Sequence, residues 1–355
     1  MATLAAQPGT GSRPKRTITR RRNPLRPHRI RRGVQLAFLA LNVWIGIEFY
    51  RFVRFYESGG QTAWAARPPG IEGWLPIASL MNLKFWADTG ALPTMQPAGM
   101  FLLIAFVLSS LLLRKAFCGW LCPVGTVSEY LWRLGRSTFG RNWDLPKWAD
   151  WPLRSLKYIL MALFLYAVGA MSAAAIAFFL RGPYGLIADV KMLNFFRFMG
   201  VTTAVTLGVL MLLSIFVRNF WCRYLCPYGA LMGLFSWASP LRIRRNTETC
   251  IDCAKCAKAC PSQLKVDVLV QVRSPECLGC YECVTACPVE DALAMSTPAL
   301  AGRPRPVPAW ALAACLGLIF FGFTGYARWS GYWHANVPSD TYFELVPRAN
   351  EYGHP

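Results

Sequence analysis

Eight cysteines between positions 250 and 287 fall into two copies of one pattern, each closing on proline. Cys250, Cys253, Cys256 and Cys260-Pro261 form the first copy; Cys277, Cys280, Cys283 and Cys287-Pro288 form the second. Both read C-x2-C-x2-C-x3-C-P, a run that holds paired [4Fe–4S] clusters, the fourth cysteine of each run serving the other cluster. Three thiolates in one tight loop can cap three irons of a cube. By that rule Cys250, Cys253, Cys256 and Cys287 hold one cluster, and Cys277, Cys280, Cys283 and Cys260 hold the other. Structural zinc is the competing reading, but zinc takes paired C-x2-C knuckles or Cys/His mixtures. Lys255 and Lys258 stand between ligands, and their charge beside the first cluster favours its reduced form. This chemistry carries single electrons.

Four further cysteines form a second signal. Phe117-Cys118-Gly119-Trp120-Leu121-Cys122-Pro123-Val124-Gly125 resembles Trp221-Cys222-Arg223-Tyr224-Leu225-Cys226-Pro227-Tyr228-Gly229, and each motif follows an apolar span ending in arginine, Arg114 or Arg218. Upstream, Ile77-Ala78, Leu83, Phe85 and Gly90 align with Ile187-Ala188, Leu193, Phe195 and Gly200. The chain therefore contains a duplicated membrane hairpin: span, amphipathic segment, span, then C-x3-C-P. Two units in the same orientation are related by an axis along the membrane normal, which brings both motifs together under the bilayer. Cysteines four apart on a helix share a face, and proline redirects the chain just after. Cys118, Cys122, Cys222 and Cys226 can thus supply four thiolates for a third metal or redox centre; the alternative is that each pair is structural. A disulfide is not expected in the reducing compartment these loops need.

The elements that position these cysteines lie in a membrane. The chain has 355 residues and is 54% hydrophobic, with five apolar stretches near spanning length: Val34–Val53, Pro97–Leu113, Leu156–Leu180, Val201–Val217 and Val307–Ala327. An arginine-rich arm, Arg13 to Arg32, precedes the first, and no small-residue cleavage site follows it, so it reads as a retained anchor. With the N-terminus inside, 29 of the 38 Lys and Arg fall on inner segments. The net charge of +20 therefore belongs to topology and lipid headgroups, and no nucleic-acid role follows. The expected fold is an α-helical integral membrane protein of about five spans, a duplicated hairpin, with an inserted small α+β two-cluster bacterial ferredoxin-like domain. Its expected parts are a basic cytoplasmic arm (1–32), a four-span domain (33–239), a cytoplasmic ferredoxin domain (240–300), a fifth span (306–327) and a periplasmic tail (328–355).

Two C-x3-C-P motifs on spans followed by a two-cluster module resemble the membrane polyferredoxins of NosR/NapH type. Glu72-Gly73-Trp74-Leu75-Pro76-Ile77, Phe117 through Gly125, Trp221 through Gly229 and the eight ferredoxin cysteines carry the resemblance, over about residues 34 to 300. It implies a bacterial inner-membrane protein passing electrons between the quinone pool, or a cytoplasmic donor, and a periplasmic-side oxidoreductase. The chain departs from the group in its fifth span, in having no FMN-binding domain ahead of the first span, and in a short tail after the last.

Other candidates are weaker. Glu48 with Arg51 or Arg54 reads as a headgroup-boundary pair; Asp88, Asp189 and Lys191 can take protons from a quinol but read first as solvated interfacial groups. Tyr332-Trp333-His334 can mark a docking or metal site, though a His beside Trp is more often an interface anchor. His28 reads as solvated in the basic arm, and Cys315 as a small buried hydrophobe. No C-x-x-C-H, G-x-G-x-x-G or P-loop run is present, so covalent haem, NAD and ATP are not supported. Beside the electron-transfer reading stand two others: an accessory metal-reductase that assembles a respiratory metalloenzyme, and a redox sensor, for which no output domain is visible.

Overall fold

In the computed structural model, which describes residues 19–20, 26–298 and 304–354, the chain is mostly helical. Most of the arginine-rich arm lies outside the described residues. Helix α1 (Arg26–Glu57) opens on arginines and continues into apolar sequence. A 3-10 turn (Pro69–Trp74) leads to α2 (Pro76–Thr89) and α3 (Pro97–Leu113). After a five-residue π-helical turn, Phe117–Leu121, comes α4 (Pro123–Phe139). Then follow α5 (Lys147–Ala170), α6 (Ala173–Arg181), the single turn α7 (Pro183–Leu186), α8 (Ala188–Arg197) and α9 (Val201–Phe216). A second π-helical turn, Trp221–Leu225, precedes α10 (Pro227–Trp237). Proline at the first turn of α2, α3, α4 and α10 sets φ for the helix and gives up an amide that has no intrahelical partner.

Strand β1 (Arg242–Arg245) pairs antiparallel with β2 (Leu293–Ser296), Ile243 opposite Met295, and the short helices α11 (Lys255–Ala259) and α12 (Glu282–Ala286) lie between them in sequence. Helix α13 (Ala309–Trp329) and the short α14 (Ser339–Leu345) complete the chain.

Among the described residues, α1, α5 and α13 are each long and apolar enough to cross a membrane; α8 and α9 qualify only together, bent by 82°. Helix α3 is apolar but only 17 residues long. One expected boundary is corrected. The stretch Leu156–Leu180 is not one helix: α5 ends at Ala170, and the Ser172 side chain accepts from the Ala175 amide to start α6 afresh. Cys315 is also corrected, since it lies exposed on the face of α13 rather than inside the protein.

The duplication is visible in the packing. Each C-x3-C-P unit places its last helix on the other unit's span: α4 packs on α9, and α10 on α3. One continuous apolar core joins α3, α13 and the ferredoxin-like module, through Phe106, Leu113, Trp120, Leu293, Met295 and Leu312 among others. At the opposite end of the bundle, Phe49, Phe52 and Tyr56 of α1 pack against Tyr342, Leu345 and Val346 of the tail.

Candidate iron–sulfur and thiol centres

Both C-x3-C-P motifs adopt the same local form. The π-helical turn puts the two cysteines one turn apart, and the second cysteine then leaves helical geometry (Cys122 φ −63°, ψ 118°; Cys226 φ −73°, ψ 105°). Its sulfur caps the next helix, accepting from the Gly125 amide at 3.4 Å and the Gly229 amide at 3.2 Å. The expected α-helical i, i+4 face is thus replaced by a wider turn, a form that recurs at functional sites.

Cys118, Cys122, Cys222 and Cys226 line one cavity of about 550 Å³. Burial pushes all four thiols up, Cys122 to about 11, and Cys118, Cys122 and Cys222 also feel other cysteines of the set. Lys115, 3% exposed, stands beside them; its cation opposes burial at Cys118, and Glu276 in turn holds Lys115 charged against its own burial. Buried thiols of raised pKa give up their protons only to strong positive charge, as a metal centre supplies.

In the ferredoxin-like module, Cys260 crosses over to join Cys277, Cys280 and Cys283 around a small cavity. All four are buried. Cys256 lies near Cys287; Cys250 is half-buried and Cys253 exposed. Among the described residues, no three His, Cys, Asp or Glu side chains converge on a point fit for a single ion. The C-x3-C-P thiols and those of Cys260, Cys277, Cys280 and Cys283 instead ring cavities, an arrangement that fits polynuclear clusters better than one zinc ion, and no cysteine is in a disulfide.

Ionic contacts that sequence reading did not find dock the module on the helices. Glu276, next to Cys277, meets Lys157 Nζ at 2.6 Å and Lys115 Nζ at 3.8 Å, and accepts from Tyr158 Oη at 2.9 Å. Burial would raise the Glu276 carboxyl, but Lys115 and Lys157 outweigh it and hold it at about 2. Arg31 is fully buried and bridges Glu129 of α4 and Glu282 of α12, donating also to the Gly119 carbonyl at 2.9 Å. Arg133 binds the same two carboxylates, at 2.7 and 2.8 Å. His28 Nδ1 lies 2.9 Å from Glu282, so the expectation of a solvated His28 is wrong. Trp120 Nε1 donates to the Gly279 carbonyl at 3.0 Å. Only the C-x3-C-P sequence itself hinted at this interface, through Gly119 and Trp120.

The remaining candidates separate cleanly. Glu48 pairs with Arg51 at 2.9 Å on an exposed face, and Asp88 pairs with Lys84. Lys191 stacks over the Tyr184 ring, and His334 is exposed. Asp189 is not a solvated group: it is fully buried and ion-paired to Arg67 at 2.8 Å. Arg67 also holds Glu72 at 2.7 Å, whose carboxyl burial nevertheless keeps above its ordinary value.

Comparison with known proteins follows the same division. A model described as a 4Fe-4S binding domain matches twice, at residues 95–142 and 199–246, once on each C-x3-C-P unit. A model described as a 4Fe-4S dicluster domain matches residues 242–288, which contain all eight ferredoxin cysteines. The putative electron transport protein YccM of Escherichia coli K12 is 51% identical over 326 residues, 91% of each chain. The regulatory protein NosR of Pseudomonas aeruginosa is 31% identical over 46% of this chain and 23% of its own length. The ferredoxin-type protein NapH of Escherichia coli K12 is 27% identical over 44% of this chain and 51% of its own. No solved structure matches.

Proposed function

We propose a specific electron route through a chain that belongs to the NosR/NapH-type family of 4Fe-4S membrane proteins. Its general role is membrane iron–sulfur electron transfer. The finer reading is that it passes electrons between the quinone pool or a cytoplasmic donor and a redox partner on the periplasmic side. It sits in the bacterial inner membrane, with N-terminus and ferredoxin module cytoplasmic and the C-terminus periplasmic. Cys250, Cys253, Cys256 and Cys287 hold one [4Fe–4S] cluster; Cys277, Cys280, Cys283 and Cys260 hold a second. Cys118, Cys122, Cys222 and Cys226 hold a third centre.

The observation that carries this reading is the single cavity shared by the four C-x3-C-P cysteines, directly beside the second ferredoxin loop. Each cluster, when bound, takes up and gives back one electron. The chain's own part is to exclude water, hold the thiolates and supply compensating cations. Lys115 does so at the C-x3-C-P cysteines, and Arg31 beside Cys280. The cavity continues from the thiols between α1, α3 and α13, past Phe38, Phe106 and Phe320, to Trp74 and Arg328. A long, mostly apolar slot with a few polar groups suits a quinone ring and its isoprenoid tail.

The test is electron exchange with a quinone in nanodiscs. Dithionite-reduced protein mixed with menadione should reoxidise at a rate that saturates with menadione. Filling the slot by Leu102→Trp or Thr324→Phe should slow it, while ferricyanide reoxidation stays unchanged. Menadione reoxidation that does not saturate and ignores both substitutions would contradict the quinone site.

A further inference from the structure

The three cysteine sets differ in how they meet the surface, and the difference gives the array a direction. The set of Cys260, Cys277, Cys280 and Cys283 is buried and faces the helices through Trp120, Arg31 and Glu276. In the other ferredoxin set Cys253 is exposed, and its neighbours Ile251 and Asp252 are exposed with it. The end of α11 is tied back towards the helices through Arg218, which donates to the carbonyls of Lys258 and Cys260 at 3.1 and 3.2 Å.

Around Cys253 the surface has a consistent character. Ile251, Val268 and Val270 are 45%, 59% and 50% exposed. Residues 268–270 border the 250–256 loop, because the Arg245 amide donates to the Val270 carbonyl at 2.8 Å while its guanidinium pairs with Asp252 at 3.2 Å. Lys255, Lys258 and Lys265 are exposed around this apolar patch. The acids nearby include Glu248 and Asp252, both exposed, the half-buried Asp267, and the exposed Asp144; Arg245 answers Asp252, and Arg218 answers Asp144 at 3.6 Å. The patch is apolar at its centre and basic at its rim.

From this we infer that the face around Cys253 is the docking surface for a small, acidic, soluble one-electron carrier. This deepens the electron-transfer reading above, which names a cytoplasmic donor only in general. Electron transfer between proteins falls off steeply with distance, so the cluster whose ligand reaches the surface is the one a soluble partner can serve. One electron leaves the carrier's flavin or iron–sulfur group and enters the cluster of Cys250, Cys253, Cys256 and Cys287, with no bond made or broken. Electron-transfer encounters are small and brief, and charge complementarity steers them. The basic rim selects an acidic carrier, and the apolar centre gives the close, dry contact.

The experiment uses the holoprotein in uncharged nanodiscs and oxidised flavodoxin, a carrier of net negative charge. Biolayer interferometry should show binding that weakens steeply with added salt. Lys255→Gln/Lys258→Gln/Lys265→Gln should weaken it by about tenfold, mainly through slower association. Val268→Ser should speed dissociation. Dithionite reduction of the same variants, followed by absorbance, shows that the clusters are present and reducible, which separates failure of docking from failure of the electron-transfer reading. Salt-insensitive binding, no binding, or affinity unchanged by the lysine substitutions would overturn the inference; the last result would leave those lysines to the lipid headgroups.

Discussion

Lys115 Nζ lies 3.8 Å from Glu276 Oε2 with both side chains largely buried, and Glu276 immediately precedes Cys277. One buried cation thus stands between the C-x3-C-P thiols and the ferredoxin loop. Removing a positive charge beside a centre disfavours its more negative, reduced form. Lys115→Met should therefore lower the midpoint potential of the C-x3-C-P centre. A shift of about 59 mV would be a tenfold change in the reduced-to-oxidised ratio at fixed potential. Lys115→Arg should restore most of it. Glu276 keeps Lys157 and Tyr158 in either variant, so the module stays docked. An EPR redox titration reads this directly, and an unmoved potential in Lys115→Met would rule out the charge-compensating role.

Glu129 lies where α1, α4 and α12 meet, and its charge answers Arg31 and Arg133. Burial alone would raise its carboxyl, yet the two guanidinium groups hold it below its ordinary value of 4.5. A carboxyl lowered by folding adds stability that is complete above its unfolded pKa and is lost as pH falls through the folded one. Docking of the module should therefore weaken below about pH 4.5. Glu129→Gln should cost about 3 kcal/mol or more at neutral pH, because it leaves buried Arg31 with less compensation, and should flatten the acid loss. Limited proteolysis across residues 238–250 as a function of pH measures both; an acid response equal in wild type and Glu129→Gln would show that this carboxyl has no part in it.

Gly119 leaves no room for a side chain. A Cβ there would sit 2.7 Å from the Leu278 carbonyl oxygen, a backbone atom that cannot swing away. Gly119→Ala should push the second ferredoxin loop off its seat and cost about 1–3 kcal/mol. Gly229 of the second motif, the counterpart of Gly125 rather than of Gly119, has no contact tighter than 3.6 Å, so Gly229→Ala should be milder. Thermal melts of the two variants in detergent should rank them in that order; equal melting temperatures would mean that the loop does not bear on Gly119.

What the sequence made legible is what depends on short spacing. The cysteine runs and the paired C-x3-C-P motifs are local patterns that short spacing reveals, although the turn carrying each motif is π-helical where an α-helical face was expected. Apolar length found the cores of α1, α5 and α13 but missed the break at Met171, which one serine cap produces. The docking ion pairs were out of reach. Arg31 meets Glu282, and Lys157 meets Glu276, across more than a hundred positions, and nothing in the local sequence marks one arginine of a basic arm as the buried one. Asp189 misled for the same reason, because its partner Arg67 lies in another repeat.

The most direct measurement is the iron and acid-labile sulfide content of anaerobically purified protein, set beside that of Cys118→Ala/Cys222→Ala. With a thiolate-held cluster shared between the two hairpin units, wild type should contain about twelve irons per chain and the double variant about eight. About eight irons in both would remove the shared centre, and colourless, iron-free wild type would remove iron–sulfur electron transfer altogether.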